Sequence, residues 1–273
     1  MKLFKDALIY DGTGADAFKG DILIDEDRIV RVEECITPEE GWEVIDLKGL
    51  SVSPGFIDAH SHNDWFAIKN SPQKYFEPFI RQGITSFVTG NCGLSAVGFE
   101  PQTQHVDKVG GGLFSYSDTT GVYPTVAEFF SAIDRNTPCN IAVLAGHCTA
   151  RASVAGYENR SLTDDERKRM LDIMEEAIKD GACGLSLGLM YEPGIYAGLD
   201  ELKDVARLCE KYDRPMTVHP RACSAVSMTY PLLGRPHLLR ALDELVEIAS
   251  GTRMKLQYSH AIFVGRRSFR CKD

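Results

Sequence analysis

The stretch PGFIDAHSHND, residues 54–64, delivers Asp58, His60, His62 and Asp64 in alternation directly after an apolar run, in a chain that holds only seven histidines. Residues i and i+2 of an extended segment point to the same side. His60 and His62 are therefore expected to aim both imidazoles at one centre. Two further histidines, His219 in RPMTVH and His260 in RMKLQYSH, each close a short apolar run. A single strand-end histidine is usually a hydrogen-bonded core or rim residue. Four of them on three strand ends point instead to a metal site, and imidazole ligation with an open position suits zinc and a water acidified toward neutral pH. Cys92, in GNCG, joins them as a candidate ligand because Gly90 and Gly93 on either side let the backbone turn sharply and present the sulfur. His147 in AGHCTAR is read as a substrate contact or a satisfied rim histidine, and Asp58 and Asp64 as acceptors orienting the imidazoles or as groups that cap the turn.

Positioning such residues needs a repeating framework, and the chain supplies one. Residues 1–52 read as short β-branched strands cut by Asp-Gly, Gly-Asp and Lys-Gly turns, a small β-sandwich segment completed elsewhere. From residue 53 to 273 the pattern becomes strand then helix. Strand candidates fall at 51–60, 83–90, 140–146, 182–189, 214–219 and 253–260, with helices at 72–82, 124–135, 163–180, 199–212 and 235–250. The clearest helix starts on the capping box Thr163-Asp-Asp-Glu166, shows Met170, Leu171, Met174, Ala177 and Ile178 on one face, and stops at Gly181. Six short apolar strands alternating with helices predict a parallel sheet covered on both faces. The first strand ends without a G-x-G-x-x-G turn, which argues against an open nucleotide-binding sheet and for an α/β, TIM-like (β/α)8 barrel, incomplete at about six strands. A barrel carries its site at the C-terminal strand ends, where His60, His62, Cys92, His147, Tyr191, His219 and His260 fall.

Bulk properties narrow the classes. Hydrophobic content of 44%, charged content of 25% and a net charge of −9 fit a soluble globular protein and disfavour nucleic-acid or membrane partners, which call for a basic surface. The start, MKLFKDALIYDGTG, lacks a signal peptide's apolar core. Eight scattered cysteines with no C-x-x-C read as reduced thiols, hence a cytoplasmic location. The glycine-rich stretch 98–122 is a poor phosphate cradle and is read as a lid over the mouth.

Taken together, PGFIDAHSHND, GITSFVTGNCG, GACGLSLGLMYEPGIYAGLDEL, MTVHPR and LQYSHA resemble the amidohydrolase superfamily and, within it, the D-aminoacylase (N-acyl-D-amino-acid deacylase) group. The resemblance runs through the whole chain, and N-C-G and GLMYEPG are its selective segments. It implies zinc held by Cys92, His219 and His260, a second, weaker metal position at His60 and His62, and substrate contacts from Tyr191 and Arg221. No lysine stands in CGLSLGLMY, where a hydantoinase or dihydroorotase would carry a carbamylated one, so Cys92 takes the bridging role. Two departures follow. Ile262 stands where the group carries a carboxylate-binding lysine. The group's general acid/base, an aspartate ending strand eight, has no counterpart before residue 273, which predicts a truncated form that is poorly soluble or inactive alone. The expected activity is hydrolysis of the linear amide of a small N-acyl-D-amino acid. The rivals are cyclic-amide opening, deamination, and a non-catalytic metal-binding fragment; oligomeric state is left open.

Overall fold

A computed structural model describes residues 1–109, 114 and 116–271. Residues 110–113 and 115, at the centre of the expected lid, lie outside the described residues. The chain separates into two compact units, Met1–Phe56 and Ile57–Asp273.

In the first unit, β1 (Lys2–Ile9), β2 (Phe18–Asp25), β3 (Arg28–Glu33), β4 (Glu43–Asp46) and β5 (Ser51–Val52) form one mixed sheet in the order β3-β2-β1-β4, with β5 also on β1. Alternation along the strands sends Leu3 and Leu23 into one small apolar cluster with Ile36. Ala7, Ile9 and Ile22 go into another. The sheet thus sends side chains into two separate apolar clusters. Buried Asp21 ties the layer together: its carboxylate accepts from Lys5 Nζ at 2.8 Å and from the Asp6 and Ile36 N–H groups at 2.9 and 2.8 Å.

The second unit is a curled, six-stranded parallel half-barrel in simple sequential order. Its strands are β6 (Phe56–Asp58), β7 (Ile84–Thr89), β8 (Asn140–Gly146), β9 (Gly184–Gly188), β10 (Met216–His219) and β11 (Leu256–Tyr258). The connections carry α1 (Asp64–Ala67), α2 (Gln73–Ile80), α3 (Val126–Ile133), α4 (His147–Ala155), α5 (Asp164–Lys179), α6 (Leu199–Lys211) and α7 (His237–Ala249). Every residue of β9 and β10 is buried, as expected for strands covered on both sides. The Thr163 capping box closes as the sequence predicts: Thr163 Oγ1 accepts from Glu166 N–H at 3.2 Å, and Glu166 returns the bond to Thr163 N–H at 2.9 Å. Met170, Met174, Ala177 and Ile178 then face the core.

Helix α4 has no counterpart in the expected elements. β8 runs straight into it, and seven of its nine residues are buried. A helix wrapped on all sides has no polar stripe, so it carries no 3.6-residue signature. No described helix is long and apolar enough to cross a membrane.

Candidate metal centre

The turn after β7 carries Cys92 in a left-handed conformation, φ 57°, between Gly90 at φ 74° and Gly93 at φ 73°. Both glycines are required by contact as well as by torsion. A Cβ on Gly90 would meet the Leu144 carbonyl at 2.1 Å, and one on Gly93 would meet Gly188 N at 2.7 Å. A non-glycine residue held at positive φ is unfavourable unless its surroundings enforce it, and three buried side chains do so. Asp64, opening α1, accepts from Thr89 Oγ1 at 2.5 Å, Gly90 N–H at 3.2 Å and Ala96 N–H at 2.7 Å. Ser186 of β9 accepts from Gly93 N–H at 3.0 Å and donates to the Gly90 carbonyl at 2.5 Å. Asn91 donates to the Val88 carbonyl at 3.1 Å and accepts from Thr217 Oγ1 at 3.1 Å.

The turn delivers the Cys92 sulfur to the middle of three imidazoles. Sγ lies 3.4 Å from His60 Nε2, 3.7 Å from His219 Nδ1 and 3.4 Å from His260 Nε2. A tetrahedral zinc with bonds near 2.0–2.3 Å places its ligand atoms roughly 3.3–3.6 Å apart, so the set fits such an ion. The ligand atoms of His60, Cys92 and His260 all lie within 4.8 Å of one another. The His219 Nδ1 and His260 Nε2 atoms are closer, 2.7 Å apart, the separation of an N–H···N hydrogen bond, and they must open slightly to share an ion. His60 Nδ1, His62 Nδ1 and His260 Nδ1 are buried without a hydrogen-bond partner.

His62 stands apart from the sulfur. Its ring centre is 5.9 Å from that of His60 and it stacks on Phe114. The HSH segment lies just past the end of β6 rather than within it, with the Ser61 N–H donating to the Val88 carbonyl of β7 at 3.0 Å. Tyr191 joins the cluster, its hydroxyl 3.0 Å from His219 Nδ1 and its ring packed on that imidazole. Arg221 does not. Its Nε–H is shared between both oxygens of Glu244 at 3.0 Å, and its Nη1 and Nη2 donate to the carbonyls of Ile195 and Ala197 at 2.5 and 3.1 Å. His147 is fully buried and bonds to Glu201 at 2.8 Å, which also accepts from Arg151 Nε at 3.0 Å. Its Nε2 is committed to Glu201, while its Nδ1 is buried without a hydrogen-bond partner. Asp58 accepts from the His60 backbone N–H at 3.1 Å and so shapes the turn. Asp64 serves the cysteine turn. Ile262 closes a tight turn onto the His260 carbonyl at 2.6 Å.

Burial sets the protonation states. It lowers His60 and His62 to about 4 and His219 to about 3, with the neighbouring His260 adding to each shift. These three imidazoles are neutral at pH 7, with lone pairs free. Burial pushes the Cys92 thiol up to about 12, so a metal must displace its proton. Folded-state Cys92 holds that proton throughout the neutral range and loses it on binding. Metal affinity should therefore rise about tenfold per pH unit between about pH 7.5 and 9, with one proton released per ion. Chelator competition across that range, with calorimetry in buffers of different ionisation enthalpy, checks this; a flat affinity profile would show that the sulfur is not displacing a proton.

A parallel half-barrel with a cysteine–histidine cluster at its strand ends is an arrangement that could hold a metal ion. A sequence model described as the amidohydrolase family matches residues 43–259, and the chain belongs to that family. It is 32% identical to an N-acyl-D-aspartate deacylase of Alcaligenes xylosoxydans xylosoxydans, over 96% of this chain and 49% of the relative. It is 30% identical to a D-aminoacylase of the same organism, over 98% and 51%. The chain thus spans about half the length of the curated relatives it matches. Among solved structures, one describing the binuclear metal centre of a D-aminoacylase superposes with a TM-score of 0.79 at 26% identity, covering 98% of this chain and 52% of that one. An N-acyl-D-glutamate deacylase from Bordetella bronchiseptica, complexed with zinc and a phosphonate mimic of the tetrahedral intermediate, superposes at 0.76 with 29% identity, covering 93% and 50%.

Proposed function

We propose that this chain forms the metal-binding half of a zinc-dependent deacylase that hydrolyses the linear amide of N-acyl-D-amino acids in the cytoplasm. The Cys92 sulfur bracketed by His60, His219 and His260 carries the reading. In it, residues 1–52 are the accessory β segment and 53–273 the catalytic barrel. Cys92, His219 and His260 hold the tighter position and His60 with His62 the looser one. Zinc bound there supplies Lewis acidity and a water of lowered pKa. The Tyr191 phenol, whose pKa burial pushes well above its usual value, stays protonated at neutral pH and can donate to a substrate oxygen beside His219. The buried imidazoles remain neutral and keep the ligand set intact.

Metal analysis of protein as purified should find zinc at about one ion per chain or more; trace amounts would sink the assignment. N-acetylated D- and L-amino acids screened beside hydantoins, with the chain alone and with its family-type continuation, should show turnover of the D-series only. Opening of hydantoins would favour the cyclic-amide alternative. The half-length match to the relatives supports one further reading, that the chain alone binds metal without turning over substrate.

A further inference from the structure

We infer that Arg221 is a positioning residue: with Glu244 it latches the 189–198 loop so that the Tyr191 hydroxyl stays against His219, and it does not bind the substrate carboxylate. The loop leaves β9 with the Leu189 N–H on the His219 carbonyl at 3.0 Å, and it tightens through the Ile195 N–H on the Tyr191 carbonyl at 2.8 Å. On its far side Arg221 donates to the carbonyls of Ile195 and Ala197, beside the packing of Ala197 in the core. Glu244 of α7 neutralises and orients that guanidinium, and Tyr230 donates to Glu244 at 2.9 Å. The pair is mostly withdrawn from solvent, with side chains 10% and 18% exposed.

All three guanidinium nitrogens already have acceptors. A substrate carboxylate would have to displace Glu244 from Arg221 and leave that carboxylate with the Tyr230 hydroxyl in place of its guanidinium partner, in a mostly buried site where an ion pair is costly to break. A planar fork reaching one carboxylate and two divergent carbonyls is a task only arginine can do. A residue two positions beyond His219 therefore helps to hold the Tyr191 loop, so one strand end bears on both a metal-centre imidazole and the phenol packed on it.

The latch rests on the Arg221 and Glu244 hydrogen bonds; only its consequence for catalysis rests on the deacylase reading. Hydrogen–deuterium exchange on the metal-loaded protein separates the two, because it needs no substrate. In Glu244→Gln, which keeps the carboxylate's shape, and in Arg221→Lys, amides of 189–198 should exchange about tenfold faster or more, with β7 and β8 unchanged. In cobalt(II)-loaded protein, Tyr191→Phe should shift the visible bands, and Glu244→Gln should reproduce that shift. Unaltered exchange of 189–198 in both variants overturns the inference. So does an increase spread evenly over the barrel unit, or a cobalt spectrum that responds to Tyr191→Phe alone. Absence of turnover in the parent protein would count against the deacylase reading and leave these measurements intact.

Discussion

Cys92→Ala should lower metal affinity by more than about 100-fold, beyond the loss typical for groups that merely support a ligand. Cys183→Ala, at the opposite end of β9, should leave it unchanged. The difference lies in position, since both are free thiols. Cys92 Sγ lies within 3.7 Å of three separate imidazoles. Cys183 is partly buried, and its backbone N–H only extends the ladder to the Val143 carbonyl. Without the sulfur, the three histidines lose their common neighbour, and the short His219–His260 contact can persist as an ordinary hydrogen bond instead of opening around an ion. Removing one sulfur from a small side chain costs little stability, about 1 kcal/mol, so folding should survive. Equal metal occupancy in the two variants would refute the ligand assignment. By the same logic, His62→Ala should cost much less affinity than His219→Ala.

The largest expected effect on stability falls at Asp64. Asp64→Ala removes the acceptor for two backbone N–H groups and one hydroxyl, all buried, and should destabilise the barrel unit by about 3–5 kcal/mol. Since those donors are the ones that pin the turn around Cys92, metal affinity should fall with stability. Asp64→Asn keeps the volume yet turns an amide N–H₂ toward a donor, so it should lose a smaller part of both. The pH dependence has a defined sign. Burial raises the folded-state Asp64 carboxyl from 3.8 to about 6, so between those values the folded chain binds a proton that the unfolded chain has released. Asp64's contribution therefore falls as pH rises from about 4 to 6, by at most about 3 kcal/mol at 1.36 kcal/mol per unit. Denaturant titrations at several pH values should show this slope in the parent and a flatter one in Asp64→Asn; identical slopes would mean that Asp64 does not titrate there.

Local rules determined much of this protein from the sequence. The five expected helices appear, because apolar periodicity and the Thr163 capping box depend only on residues a few positions apart. The strand-end placing of His60, His219 and His260 was legible because each follows a short apolar run. The sharp turn that presents Cys92 was legible because glycines flank it, whereas the left-handed conformation of Cys92 itself was not. What tertiary structure alone decided are pairings between distant segments. Helix α4 stayed hidden because burial on every side erases amphipathic signature. Arg221 and Glu244 are 23 residues apart, and only the packing of α7 against the β10 end shows that the arginine is already occupied. Asp64, two residues past the second histidine, reads equally well as a companion of the imidazoles or of the turn. It was assigned to the Cys92 turn by the approach of β7 to α1, because a carboxylate in a dry site settles wherever unpaired N–H groups lie, and spacing along the chain does not encode where those are.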